Sequence, residues 1–391
     1  MKIYFLTRSF YPEMSTGGAL VRYGEVQYLR AQGWEVVVVM PNYSSCRALH
    51  QSDTIKIPYP ENIKLALLCQ RLGVVDDYLD SWVSKAYQYL KSRISRNDLI
   101  ISTSGGELGT IKLGALLAGH CGCPSIANLH DPIDYTLVHN LKLDKKFHVS
   151  REKQEEKYLL QYDRIVTSSD SNKISLQKKY PNKSHKIENL YFGYNKKIDI
   201  NSAQRLNSEK LRIAYVGNMS KTQRPEILYE AYKKYQSENR KGVKIIFVGN
   251  AQNYLPISNI IDPNVQFVEN MPHDQFLQFM LRHIDVGFVS LANDYLGACT
   301  PSKIYEYINL GIPIIGALPD GDGKNIINSN GYGIGVNYDD ISSVAKAIGA
   351  FEDPAYYSKV RKRLLDDRSK WDSQNLMVDM VKTIKVLSHG D

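Results

Sequence analysis

The chain lacks any apolar run approaching the ~18 residues that cross a bilayer as a helix. Its opening, MKIYFLTRSFYPE, has too short an apolar segment for a secretory leader. Cysteine is scarce: five among 391 residues, without zinc-ligand spacing, and Cys121 and Cys123 stand too close for an ordinary bridge. A disulfide framework and structural zinc are therefore disfavoured, and a reducing cytoplasm is expected. Concentrated basic blocks are missing too. The net charge of +8 suits anionic ligands or an anionic membrane surface and argues against nucleic acid. The fingerprint G-x-G-x-x-G is absent from the first helix entrance, which disfavours a nicotinamide enzyme.

What is present is ordinary globular composition, 43% apolar and 23% charged, in a chain long enough for two domains. Both halves alternate strand and helix. In the first, strands are expected over 2–7, 35–40, 98–103 and SIANLH, with helices over 19–32 and from about 107 to 118. REKQEEKYLLQY, the strand DRIVTSS and an edge strand within 187–194 follow. The polar, aperiodic stretch 196–210 reads as a linker. Strands at 211–218, 243–250, 265–270 and 285–291 restart the alternation, and a helical tail runs from about Asp353 to Leu387. This pattern predicts parallel sheets with ligands at the strands' C-terminal edges. Residues 76–96 form an aromatic and basic helix, which suits either an ordinary amphipathic helix or a membrane-facing surface.

The stretch TPSKIYEYINLGIPIIGALPDGDG, 300–323, carries the clearest chemistry. Thr300 reads as an N-cap, Pro301 as the first helical residue, Gly311 as the left-handed stop, and Ile312–Ile315 as a buried strand. Ser302 and Lys303 then sit in the first turn, where free N–H groups and the helix dipole favour an anion. Glu306 lies on the same side, ~4.5 Å deeper. Phosphate at the mouth and ribose hydroxyls one turn down would suit that order. A surface i,i+3 ion pair between Lys303 and Glu306 is the alternative.

Other candidates lie at strand ends. Gly17 and Gly18 stand at a helix entrance, where bare N–H groups can approach phosphate. His130 and Asp131 follow a parallel strand, and Gly105 and Gly106 follow another. Two strands end Val-Gly-Asn, placing Gly217, Asn218 and Gly249 where a ligand's approach favours a missing side chain, with Lys221 and Arg224 just beyond. The glycines of GYGIG, 331–335, lack a strand-then-helix context.

Together, the Gly-Gly loop, YVGNMSKTQRPEILYEA and PSKIYEYINLGIPII resemble the GT-B glycosyltransferases, nearest the retaining family 4 enzymes that build bacterial surface polysaccharides. The resemblance implies an α/β fold of two Rossmann-like domains facing across a cleft: 1–195 on the acceptor side, and 211–370 binding the donor. A C-terminal helix of about 371–391 would pack back on the first domain. It implies a hexosyltransferase that uses a nucleotide-diphosphate sugar, UDP- or GDP-linked, and a glycan or polyprenyl-diphosphate-linked acceptor. The setting implied is capsule or lipopolysaccharide synthesis, in the cytoplasm or peripheral at the membrane's inner face.

Residue by residue, Glu306 matches the glutamate that holds ribose; Ser302 and Lys303, after Pro301, match the residues at the diphosphate. Lys221 matches a basic residue on the pyrophosphate. Gly17 and Gly18 match the loop that reaches the diphosphate, and His130 a histidine near the reacting sugar. The family's usual pattern has Arg after the glycine and Lys-Gly five residues later; here Asn218 and Gln223-Arg224 stand there. Its first glutamate, eight residues before Glu306, is Ala298 here, which points to altered donor handling. No cofactor is implied, and without an Asp-x-Asp motif at a strand end, metal independence is expected. A sugar-nucleotide epimerase and a non-catalytic nucleotide-sugar-binding subunit are the alternatives.

Overall fold

In the computed structural model the chain forms two compact units, residues 1–195 with 373–391, and residues 196–372. The structure describes all residues except 15, 44–48, 52, 60, 61, 134–137, 140, 141, 144, 203–207, 239, 241, 390 and 391.

The N-terminal unit is built on β1 (Lys2–Leu6), β2 (Glu35–Asn42), β3 (Leu49–Gln51), β4 (Thr54–Pro58), β5 (Leu99–Gly105) and β6 (Ser125–Asp131), then, after the short pair β7 (Val138–His139) and β8 (Lys142–Leu143), β9 (Arg164–Thr167) and β10 (Ile187–Asn189). The main sheet runs β10-β9-β6-β5-β1-β2-β4-β3, parallel except at β3–β4. Runs such as EVVVVM are buried on both faces, as a helix-covered parallel sheet requires. From β1 the chain goes first to β2 on one side and later to β5 on the other. The C-terminal ends of β1 and β5 are thus a switch point, where such sheets open a crevice. In the helix Asp80–Leu90, Trp82 and Leu90 are buried in the core beside Val83 and Ala86, so the aromatic stretch is an ordinary amphipathic helix. The β3–β4 hairpin has no counterpart in the sequence-based expectation.

The helical tail is not continuous. It breaks at Asp367 into the 3-10 turn Arg368–Trp371, then resumes as Ser373–Leu376 and Val378–His389. The turn is held by the Arg368 guanidinium donating to the Ile198 carbonyl at 2.5 Å and by Trp371 Nε1 donating to Tyr332 Oη at 2.9 Å. Beyond it, Met377, Met380 and Ile384 join the cluster of Ile3, Phe5, Val26 and Val36.

The C-terminal unit holds β11 (Leu211–Val216), β12 (Val243–Val248), β13 (Val265–Val268), β14 (Val286–Ser290), β15 (Ile314–Ala317) and β16 (Gly333–Val336) in the order β13-β12-β11-β14-β15-β16, all parallel. Its switch point lies between β11 and β14. The discounted GYGIG segment supplies the edge strand β16, with too little β-branched content to announce itself. The helix Lys303–Leu310 lies against β14 because Gly287 has no side chain. A Cβ there would stand 2.5 Å from the Tyr307 ring, whose hydroxyl donates to the Phe288 carbonyl at 3.1 Å. Gly287→Ala is therefore expected to destabilise the C-terminal unit by ~1–3 kcal/mol through overpacking. Calorimetry would show this as a lower unfolding midpoint, and an unchanged midpoint would contradict the packing argument.

Candidate functional site

At the β11–β14 switch point, two loops are stitched together. Ser290 Oγ donates to the Gln223 carbonyl, and the Ala292 N–H to the Thr222 carbonyl at 3.0 Å. Lys303 reaches from the next helix into this seam. Its Nζ donates to Gln223 Oε1 at 3.0 Å and lies 3.9 Å from the centre of the Tyr215 ring. Tyr215 Oη in turn lies 2.7 Å from Gln223 Oε1 and 2.6 Å from the Asn218 carbonyl. Among the described residues no carboxylate lies within ion-pairing distance of Lys303. Burial pushes its ammonium down to about 7. The i,i+3 ion pair with Glu306 is thus not formed.

Glu306 turns elsewhere. Its Oε1 lies 3.3 Å from His273 Nε2, and this hydrogen bond holds the imidazolium above the ordinary histidine range. Its Oε2 is buried without a hydrogen-bond partner, as is Thr300 Oγ1. The helix begins later than the sequence pattern predicts: Ser302, not Thr300, is the N-cap, and Lys303 the first helical residue. Ser302 has helical φ and ψ, so its hydroxyl caps nothing. The N–H groups of Ile304 and Tyr305 instead turn tightly onto the Pro301 and Ser302 carbonyls at 3.0 and 3.1 Å. Gly311 ends the helix at φ 61°, the left-handed stop read from sequence.

The two Val-Gly-Asn ends differ. Gly217 has φ 98°, and a Cβ there would meet nothing, so the backbone is open to approach. Gly249 is glycine because a Cβ would collide with the Gly217 carbonyl, so packing accounts for it without a ligand. Asn250 Oδ1 accepts the Met219 N–H at 3.2 Å and steadies the loop that carries exposed Asn218 and Lys221. Arg224 does not extend that cationic edge freely: its Nε lies 3.3 Å from Glu226 Oε1, and its φ of 43° fixes a tight turn.

The N-terminal switch point is densely charged. Thr16 caps the helix Gly17–Ala31, so Gly17 and Gly18 occupy its first turn, exposed, at the positive end of the dipole. One turn on, Arg22 is buried, its Nε donating to Thr103 Oγ1 at 3.1 Å and Nη1 to Ser9 Oγ at 2.8 Å. Glu107 accepts from the Gly105 N–H at 2.9 Å and lies 3.1 Å from Arg8 Nε. A Cβ on Gly105 would stand 3.0 Å from Arg22 Nη2 and 3.7 Å from Asp131 Oδ2; one on Gly18 would stand 3.4 Å from Arg22 Nη1. These two glycines therefore make room for a guanidinium, while Gly106 takes a φ of 99° in the turn. His130 is buried, with Nε2 2.9 Å from Glu25 Oε1; Asn128 Nδ2 donates to the same oxygen at 3.0 Å. Asp134, four residues beyond His130 in the sequence, lies outside the described residues.

Sequence reasoning missed Arg8, Arg22, Glu25 and Glu107 here, and Tyr215, His273 and the contact of Gln223 with Lys303 in the other unit. Each partnership joins residues far apart in the chain: Gln223 and Lys303 are 80 apart, Glu25 and His130 are 105 apart. The one local signal was a charged residue two positions beyond a strand's end, as at Arg8 and Glu107.

With this geometry in view, comparison with known proteins gives the following. No curated protein matches the chain significantly. Solved structures do, along its whole length. The sucrose-phosphate synthase of Thermosynechococcus elongatus has a TM-score of 0.73 at 15% identity, covering 100% of both chains. The UDP-forming α,α-trehalose-phosphate synthase of Burkholderia vietnamiensis has 0.72 at 11%, covering 98% of this chain and 100% of that one. Anabaena HepE in complex with UDP-glucose has 0.67 at 15%, covering 98% and 99%. At such identities the likeness establishes the fold, two parallel α/β units of the GT-B kind, as the resemblance implied. Residues 196–364, the stretch that carries Lys303 and Glu306, match the family model described as glycosyl transferases group 1.

Proposed function

We propose that the chain is a retaining glycosyltransferase that moves a sugar from a nucleoside diphosphate to a hydroxyl of a glycan or lipid-linked acceptor. The setting proposed is bacterial surface-polysaccharide assembly at the inner face of the membrane. One observation carries this: a helix entrance that holds an ammonium group without a carboxylate partner and, one turn deeper, a carboxylate oxygen without a hydrogen bond.

The chemistry follows from the charges. As the bond between the sugar's anomeric carbon and the diphosphate oxygen breaks, negative charge gathers on the leaving group. Lys303 and the helix dipole stabilise that charge where it develops, and exposed Lys221 adds a second cation. Glu306 Oε2 accepts from the ribose hydroxyls, fixing the nucleotide. The acceptor oxygen bonds to the face the diphosphate leaves, and its proton passes to the departing diphosphate. Cations take the place of a metal in this scheme. UDP is the first donor base to test, since HepE was crystallised with UDP-glucose and the trehalose-phosphate synthase forms UDP; GDP is the second. Epimerisation would instead turn over the nucleotide sugar without acceptor, and a non-catalytic subunit would bind it without transfer.

Lys303→Ala and Glu306→Ala should each slow transfer about ten-fold or more, ~1.4 kcal/mol of transition-state stabilisation. Steady-state rates near wild type in both variants would reject the assignment. A chelator should leave the wild-type rate unchanged, and a rate restored only by a divalent ion would reject the metal-free scheme. Proton linkage tests Lys303 directly. Burial holds the free amine at about 7, so at pH 8 it is mostly neutral. A bound diphosphate restores the charge, so binding takes up a proton and affinity falls as pH rises above 7. Calorimetry of UDP binding in buffers of different ionisation enthalpy should show that uptake at pH 8, and Lys303→Met should abolish it. No uptake in the wild type would refute the role of a neutral, buried amine.

A further inference from the structure

A glutamate three residues after a lysine on a helix ordinarily pairs with it. Glu306 does not, because a second helix holds it. Its Oε1 lies 3.3 Å from Nε2 of His273, the first residue of the helix His273–His283. A helix N-terminus is a poor place for an imidazolium, since the free N–H groups there already carry positive charge. Phe276, one turn on, lies against the imidazole with ring centres 6.2 Å apart at 28° and steadies its plane. The charged groups acting on the ring are Glu306, Asp274 beside it and Lys196. Asp274 and Lys196 stand 3.9 Å from each other, both exposed, so the hydrogen bond to the ring is left to Glu306.

A carboxylate turns about its terminal torsion with little preference. A hydrogen bond to one oxygen removes that freedom and sets where the other stands. In Glu306 the other oxygen, Oε2, is buried and has no hydrogen-bond partner. We propose that His273 is a positioning residue for Glu306, holding Oε1 so that Oε2 is a preset acceptor for the ribose hydroxyls of a nucleotide. The role rests on the donor site proposed above and acts through Glu306, without contact between His273 and the nucleotide. It also has a pH signature. The hydrogen bond to Glu306, more than any other cause, raises the histidine above its ordinary range. Below that raised pKa the bond is charge-assisted; as pH rises through it the ring loses its charge and the hold weakens. Recognition of the ribose should fade accordingly.

UDP and its 2′,3′-dideoxy analogue, titrated calorimetrically from about pH 6 to about pH 9, isolate the two hydroxyls. Both ligands carry the same diphosphate, so the proton taken up at Lys303 cancels in the ratio of their affinities. Wild-type protein should prefer UDP, by a factor that shrinks as pH rises. At the acid end His273→Ala should cut that preference about five-fold, leave the analogue's affinity unchanged, and add nothing in a Glu306→Ala background. His273→Gln, whose amide can still donate to Oε1, should keep most of the preference and lose its pH dependence. An equal loss for both ligands, or a loss that persists without Glu306, would overturn the positioning role. Without ligand, NMR titration should find the His273 pKa lower in Glu306→Gln than in the wild type, and an unchanged value would overturn the role as well. GDP and its dideoxy analogue replace the pair where UDP is not bound. The two proposals fail separately. Wild-type protein that binds neither nucleotide, or Glu306→Ala with undiminished affinity, removes the donor site and this role with it. Weakened binding in Glu306→Ala beside an unaffected His273→Ala removes this role alone.

Discussion

An ammonium group partly withdrawn from water without a carboxylate to neutralise it sets the terms for the C-terminal unit. Lys303 is disfavoured twice over, by desolvation and by its place at the positive end of a helix dipole. An amide oxygen and an aromatic face compensate only in part. The group stays there because the fold elsewhere gives its helix no freedom. Tyr307 is locked over Gly287, and Asn309 bonds at once to the Lys196 carbonyl and the Ile198 N–H at 2.9 and 3.2 Å. An anion arriving at the helix entrance would relieve both penalties together, and so the strain is coupled to binding.

The N-terminal unit resolves the same electrostatic problem in the opposite sense. Its guanidinium groups come with a counter-charge: Glu107 sits between partly exposed Arg8 and buried Arg22, and Glu25 Oε1 lies against His130 Nε2. Glu107 holds the Arg8 guanidinium firmly charged, whereas burial pulls Arg22 the other way. Such a pre-neutralised cluster is costly to break and fixes side-chain directions, but it offers little net attraction to an ion. One unit thus positions groups with paired charge, and the other keeps a charge available.

What could be read from sequence follows the range of the forces involved. The βα alternation and the left-handed Gly311 are local, and the sequence pattern located them. The start of the key helix was misplaced by two residues because Thr300 is a better N-cap by composition, yet the backbone enters the helix through a tight turn at Pro301–Ser302. Gly249 looked like a ligand contact and is a packing necessity. Arg224 looked like a free cation and is paired to Glu226. Glycine and arginine are chosen for several physical reasons, and only the neighbours brought in by tertiary structure decide among them. Gln223 illustrates the limit: nothing in TQRP marks it as the anchor of a lysine 80 residues away.

Alanine at 298, where the resemblance implies a glutamate, bears on what the proposed donor site could recognise. The loop that carries it is held against its neighbour by backbone proximity: a side chain at Gly297 would collide with the Asp320 carbonyl, and one at Gly321 with the Gly297 carbonyl. The backbone around Ala298 is therefore fixed, so the missing carboxylate cannot be replaced by a modest loop shift. Among the described residues of this unit, Glu306 Oε2 is the one buried carboxylate oxygen without a hydrogen bond, and Thr300 Oγ1 is a buried hydroxyl in the same state. One charged acceptor and one hydroxyl suit a diol such as ribose. Under the proposed function, the sugar beyond the diphosphate would lack the carboxylate that the resemblance implies at 298, and discrimination among donors would then come from shape and neutral hydrogen bonds, which distinguish isomers less sharply than an ionised partner does.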